Sequence, residues 1–262
     1  MDAPALNAQL EKYLRVSTFP VGLKTFAPGE AIPPKARRPQ QHLGVKVAIC
    51  QGIAFARRYG WTVAIGGDDV SCPLGKAAFG FGERNEYFTS GGLSDGMYAC
   101  CREAGARFEE ALPKYEPGEA GHVVAGPLGK VDYVPDTVLV YGNPAQVLRL
   151  LNACLYEKGG ALTGQFSGRG DCADIVIRSR KTDAPQLILP CSGDRIFGMA
   201  ADDEMAFTFP FSMAEKVVKG LEATHAGGLR YPVPVFLRYQ ADFPKSYQEL
   251  ERLWHEAESK PA

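Results

Sequence analysis

Two glycines do most to limit the shape of this chain. One helix-like run ends on Gly60 in "AFARRYG", and another ends on Gly160 in "CLYEKGG", one hundred residues later. An apolar-then-glycine stretch follows each, "WTVAIGG" or "ALTGQFSG". A cysteine, Cys72 or Cys172, stands twelve positions after each glycine. Glycine is favoured just past a helix because it takes the left-handed conformation that ends one. The strands that open the two units are "FPVGLKTF" (19–26) and "PDTVLVYG" (135–142). The helices are "VKVAICQGIAFARRYG" and "PAQVLRLLNACLYEKGG". A shared element order with a shared glycine-to-cysteine distance is how a repeated unit shows itself in sequence. The expectation is an α/β or α+β fold in one compact domain. Two similar strand–helix–strand halves, about 15–115 and 120–221, would be related by a pseudo-twofold axis, with 222–262 a C-terminal extension carrying a helix. A site shared by the halves would then fall on that axis.

The remaining elements follow from periodicity and punctuation. Leu6, Leu10, Tyr13 and Leu14 recur at helical spacing in residues 3–14. In 19–26 the proline favours an edge or the strand start. Val138, Leu139, Val140 and Tyr141 run unbroken, as in a strand covered on both faces. Asn143 as cap and Pro144 at the first helical position open the next helix, and Gly159-Gly160 close it. "ADIVIRS" and "PQLIL" read as strands, "CCREAGARFEEAL" as a helix holding Cys100 and Cys101, and 246–260 as an amphipathic helix.

Composition narrows the function. Net charge is −1 over 262 residues, so no basic field recommends nucleic acid or an anionic membrane. No stretch approaches the roughly 18 apolar residues of a membrane span, and "MDAPALNAQLEKYL" is not a secretory signal. A cytoplasmic protein is expected, and in the cytosol thiols stay reduced. Seven cysteines cannot all pair with one another, so disulfides are the weaker reading.

Cys50, Cys72, Cys172 and Cys191 stand at loops, strand ends or a helix start, where binding residues concentrate. Cys100, Cys101 and Cys154 read as helix-interior packing. With only four histidines, thiolates without imidazole suit zinc or an iron–sulfur cluster, a [4Fe–4S] centre included. There is no C-x-x-C, and gaps of 22, 100 and 19 residues require the fold to assemble any such centre. Arg195, four residues after Cys191, could lower a thiol's pKa or grip an anion, as could Arg149 and Arg169. No dinucleotide fingerprint, phosphate loop or serine elbow is present.

"ICQGIAFARRYG", "DVSCPLGKAAFGFG", "PDTVLVYGNPAQVLRLLNACLYEKGG", "GDCADIV" and "LPCSGDRIFGMAADDEMAFTFPF" together resemble the family catalogued as domain of unknown function 169, over about residues 12–221. The family's characteristic positions map onto Cys50, Gln51, Cys72, Asp136, Asn143, Pro144, Gln146, Cys172, Cys191, Gly193, Arg195 and Glu204. The resemblance implies no substrate.

The leading expectation is a metalloprotein that binds an iron–sulfur cluster, or zinc as the alternative, through Cys50, Cys72, Cys172 and Cys191. Arg195, Asn143 and Gln146 would orient a small anionic ligand, and a lyase or reductase activity would suit an iron left open. Two alternatives stand beside it: a metal-free enzyme with Cys191 or Cys72 as nucleophile, and a non-catalytic binding protein. A homo-oligomer is left open, with no nucleic-acid or membrane partner expected.

Overall fold

The computed structural model describes residues 1–233 and 242–258. Its frame is one sheet of six strands: β1 Val21–Phe26, β2 Val63–Gly66, β3 His122–Pro127, β4 Thr137–Gly142, β5 Gln186–Ile188 and β6 Met205–Pro210. They lie in the order β2-β3-β1-β4-β6-β5, and every pairing is antiparallel. The expected mixture of helix and strand is therefore present. β1 is central, not an edge, and Pro20 sits just ahead of it, so its missing N–H costs the ladder nothing.

The unbroken apolar run of β4 has the cause its sequence suggests. Val138 and Val140 face one core with Phe207 and Phe209, beneath the Ala3–Leu14, Pro144–Leu155 and Ala214–Ala226 helices. Leu139 and Tyr141 face the other, with Val21, Leu23, Ile65 and the Ile49–Tyr59 helix. Both faces are covered, so alternation has no polar side to show. The Ala214–Ala226 helix runs across the boundary expected at 221. The C-terminal helix is Lys245–Glu258, and the last two residues expected in it lie outside the described ones.

Three sequence expectations fail, each for a physical reason. "ADIVIRS" is helix, not strand. Residues 171–182 form one continuous helical stretch with a wide π-type turn over Asp174–Arg178. Ile175, Val176 and Ile177 are all buried there, because this middle turn of the helix is covered on successive faces, while Arg180–Thr182 at its end are exposed. A short apolar run carries no period that could separate a buried helix from a strand. Residues 161–170 hold no strand either, so the matched distances from Gly60 and Gly160 do not reflect matched structure. Gly60 caps its helix at φ 71°, and Cys72 follows β2. Cys172 instead precedes β5, so the expected equivalence of Cys72 with Cys172 is not what the element order gives. Finally, Cys100 and Cys101 precede the Arg102–Ala111 helix and do not lie within it.

Candidate functional site

Cys50, Cys72, Cys172 and Cys191 line one cavity of about 340 Å³, together with Leu93, Tyr98, Arg169 and Asp171. Each comes from the first turn of a different helical segment. Cys50 is the second residue of Ile49–Tyr59, and Cys172 the second of the 171–182 stretch. Cys72 and Cys191 are the N-cap residues of Pro73–Ala78 and Ser192–Phe197. N–H groups at a helix start have no partner within the helix and favour negative charge. The Gly75 N–H reaches Cys72 Sγ at 3.4 Å, and the Cys172 N–H reaches Asp171 Oδ1 at 2.9 Å. Local chemistry sets these starts. The Gln51 side chain accepts from the Ala48 N–H at 2.7 Å, and Gly170 at φ 67° turns the chain into Asp171.

The floor of the cavity is acidic. The Cys191 thiol donates to Asp171 Oδ1 at 3.0 Å, and the Tyr141 hydroxyl donates to Asp194 Oδ2 at 2.7 Å. Burial first, and the neighbouring Asp194 carboxyl second, push Asp171 up to about 8. Burial raises Asp194 as well, with the Tyr141 hydrogen bond pulling the other way. The thiols move in the same direction. Burial and then Asp194 and Asp171 raise Cys50; burial and then Asp171 raise Cys172. Burial and Asp171 push Cys191 up to about 11. Cys50 and Cys172 are raised further by the other thiols of the cavity, so the four sulfurs lie within electrostatic reach of one another. Without a cation to compensate, these three thiols are protonated at neutral pH.

A pH dependence of stability follows. The unfolded Asp171 carboxyl releases its proton near 3.8, while the folded one holds it to about 8. Between those values the folded state binds more protons, so its stability falls as pH rises. For metal-free protein the unfolding free energy is expected to decline from about pH 4 to about pH 8, with Asp194 adding in the same direction, and to keep falling above that as the unfolded thiols ionise while the buried ones stay protonated. Denaturant titrations across that range check it, and Asp171→Asn should flatten the slope. A wild-type profile flat over the window would refute the assignment.

The arginines expected at the site are mostly elsewhere. Arg195 donates to the Ala201 carbonyl at 2.5 Å and stands 3.9 Å from Asp202, fixing the loop after its own helix and lying outside the cavity lining. Asn143 and Gln146 cap the Pro144–Leu155 helix reciprocally, at 2.8 and 3.0 Å. Gln146 also ties the Leu14 and Arg15 carbonyls, and Asn143 reaches the Tyr231 hydroxyl. Their polar atoms are taken up by backbone groups and, for the Asn143 amide, by the Tyr231 hydroxyl. Arg149 is likewise spent, on Thr224 and the Leu221 carbonyl. Arg169 alone of the group lines the cavity. It is 3% exposed and pairs at 2.7 Å with Glu109, itself held by the Ser94 hydroxyl at 3.0 Å. Asp171, Asp194 and Tyr98 were not singled out from sequence. "DC" at 171–172 and "CSGD" at 191–194 did place a carboxylate beside two of the chosen cysteines.

Among the described residues, no group of three or more His, Cys, Asp or Glu side chains is arranged to hold a metal ion. Four thiolates on one zinc would lie roughly 3.8 Å apart, given Zn–S bonds of about 2.3 Å in a tetrahedron. The thiols here surround a space, and a single ion does not fit them as they stand. All seven cysteines are unpaired, and among the described residues no helix is long and apolar enough to cross a membrane.

The fold and the site define a mixed α/β protein with a thiol-lined, acid-floored cavity on one face of an antiparallel sheet. The chain belongs to the family described as "Uncharacterised ArCR", domain of unknown function 169, whose family model matches residues 9–220. It is also similar to MJ0308, an uncharacterised protein of Methanocaldococcus jannaschii, at 35% identity over 121 residues, 46% of this chain and 52% of the relative. The chain thus spans about half the length of that curated relative. No solved structure matches it.

Proposed function

We propose that the cavity binds an iron–sulfur cluster through Cys50, Cys72, Cys172 and Cys191 and admits a small anionic molecule beside it. One observation carries the reading: four cysteines far apart in sequence meet at one cavity, each from the start of a separate helical segment. A cluster spreads its thiolate ligands wider than a single ion does, which suits thiols set around a space. The arrangement of the donors around a cavity, not their type, speaks against a single zinc ion. The raised thiols set a cost that metal binding has to meet, since ligation releases protons that burial and mutual repulsion hold in place. When bound, the cluster would supply electron transfer or, at an open iron, Lewis-acid chemistry. A lyase or reductase acting in the cytoplasm is the activity this suggests.

Chain residues have definite parts in this proposal. Helix-start N–H groups would offset the cluster's negative charge. Asp171 would hold a proton, shared with the neighbouring Asp194 carboxyl. Arg169 would bring positive charge to the lining, and Leu93 and Phe197 would exclude water from an anionic ligand.

The pseudo-twofold relation survives in this proposal with different partners. Cysteine, helix, strand, cysteine, helix, strand is the order from Cys50 to β3, if the segment 86–111 with its two helices, Cys100 and Cys101 is taken as an insertion, and again from Cys172 to β6. β2-β3-β1 mirrors β5-β6-β4 across the β1–β4 pair. Cys50 would then correspond to Cys172, and Cys72 to Cys191.

A metal-free nucleophile is the weaker reading, because a Cys191 thiol at about 11 is almost wholly protonated at neutral pH. Thiol labelling separates the two. In anaerobically purified protein the four cavity cysteines should resist alkylation until a chelator removes metal, and then label together. One cavity thiol labelling ahead of the rest in untreated protein would overturn the cluster assignment.

A further inference from the structure

We propose that Cys100 and Cys101 form an outer, two-thiol site for a thiophilic metal ion, in the segment that follows the cavity wall along the chain. Their Sγ atoms stand 4.0 Å apart, both thiols are unpaired, and Cys100 is exposed. An ion with metal–sulfur bonds of about 2.3 Å, as in zinc thiolates, would bridge that gap at an angle of roughly 120° without moving either sulfur. This is the geometry of a soft ion held by two thiolates and completed by water. Helix packing, the ordinary explanation for paired cysteines, does not apply, since both residues precede the Arg102–Ala111 helix.

The surroundings hold the pair in place and favour a cation. Gly91, at φ 84°, lies so close to the Arg102 carbonyl and the Ala106 N–H that a Cβ there would sit 2.2 Å from each, and Gly105 packs on Gly91 in turn. The turn preceding the pair is thereby pressed onto the helix that follows it. The Glu103 carboxylate hydrogen-bonds the Cys101 thiol. Binding releases two protons to solvent, forms two metal–sulfur bonds and changes no oxidation state.

The site is also near the cavity along the chain. Met97, three residues upstream and 73% exposed, and Tyr98 both belong to the cavity wall. Cys100 thus follows the cavity-lining Tyr98 by two residues along the chain. The inference rests on the cluster reading only for where a captured ion goes next.

The test uses reduced, anaerobically purified full-length protein exposed to cadmium chloride and then desalted, with bound cadmium counted per chain. The doubly substituted Cys100→Ser/Cys101→Ser protein is expected to retain one equivalent less than wild type. Its thiolate-to-cadmium absorption should drop in step. Cys172→Ser should keep the equivalent of the outer pair whatever happens at the cavity, so the two readings can fail separately. Both residues lie at the surface or half-buried, so the single Cys100→Ser variant serves as a second, milder probe and should also lose the equivalent. Equal cadmium in wild type, single and double variants would overturn the outer site and leave the cavity assignment standing.

Discussion

Leucine at Arg57 is expected to cost about 3–5 kcal/mol of folding free energy, the usual penalty for removing one partner of a buried ion pair. Arg57 is 1% exposed. It donates to Glu204 Oε1 at 2.9 Å and Oε2 at 3.2 Å, and to the Gly198 and Met199 carbonyls at 3.3 and 3.0 Å. Its guanidinium also lies 4.0 Å from the centre of the Tyr141 ring, whose hydroxyl holds Asp194. Leucine would take from Glu204 its closest cation, leaving Arg58 at 3.6 Å and the Ala201 N–H, would strand the Gly198 carbonyl, and would loosen the loop that follows the Cys191 helix. Arg195→Leu is the control. That side chain is partly exposed and serves one carbonyl, so its loss should stay below about 1 kcal/mol. Denaturant midpoints for the two variants measure the difference. Similar small losses in both would show that the buried pair does not hold the loop.

Serine at Cys50, Cys72, Cys172 or Cys191 is expected to remove most of the bound metal, while serine at Cys154 leaves it unchanged. Cys154 makes the comparison fair. Burial alone raises its thiol, up to about 12, and it packs beneath the sheet's other face with Leu150 and Val218. A general effect of losing a buried thiol would appear there too. Metal per chain, measured after identical anaerobic purification, reads the outcome. Equal metal in all five variants would remove the four thiols from the site.

Much of this was legible from sequence, and the reasons differ by residue. The Pro144–Leu155 helix, with its asparagine cap and first-turn proline, could be read because local chemistry decides it. The four cavity cysteines stood out by their places at element ends, which depend on glycine and proline punctuation. The 171–182 helix could not be read, since the unbroken burial of Ala173–Ile177 erases its period. Arg195, Asn143 and Gln146, expected to orient a ligand, lie outside the cavity lining and bond largely to backbone, because a polar residue of the family's pattern can serve backbone as well as ligand. Among those characteristic positions, Gln51, Asn143 and Gln146 satisfy helix starts, and Glu204 neutralises Arg57. Cys50, Cys72, Cys172, Cys191 and Gly193 line the cavity. The acidic floor escaped notice for another reason: Asp171 and Asp194 acquire their character only when two segments some twenty residues apart bury them together.

Iron, zinc and acid-labile sulfide, determined together with an absorption spectrum on protein purified without oxygen, test the central claim most directly. Near-stoichiometric cluster iron with matching sulfide and broad visible absorption is the predicted result. Protein that carries neither iron nor sulfide, and takes up neither when both are supplied anaerobically, would contradict it.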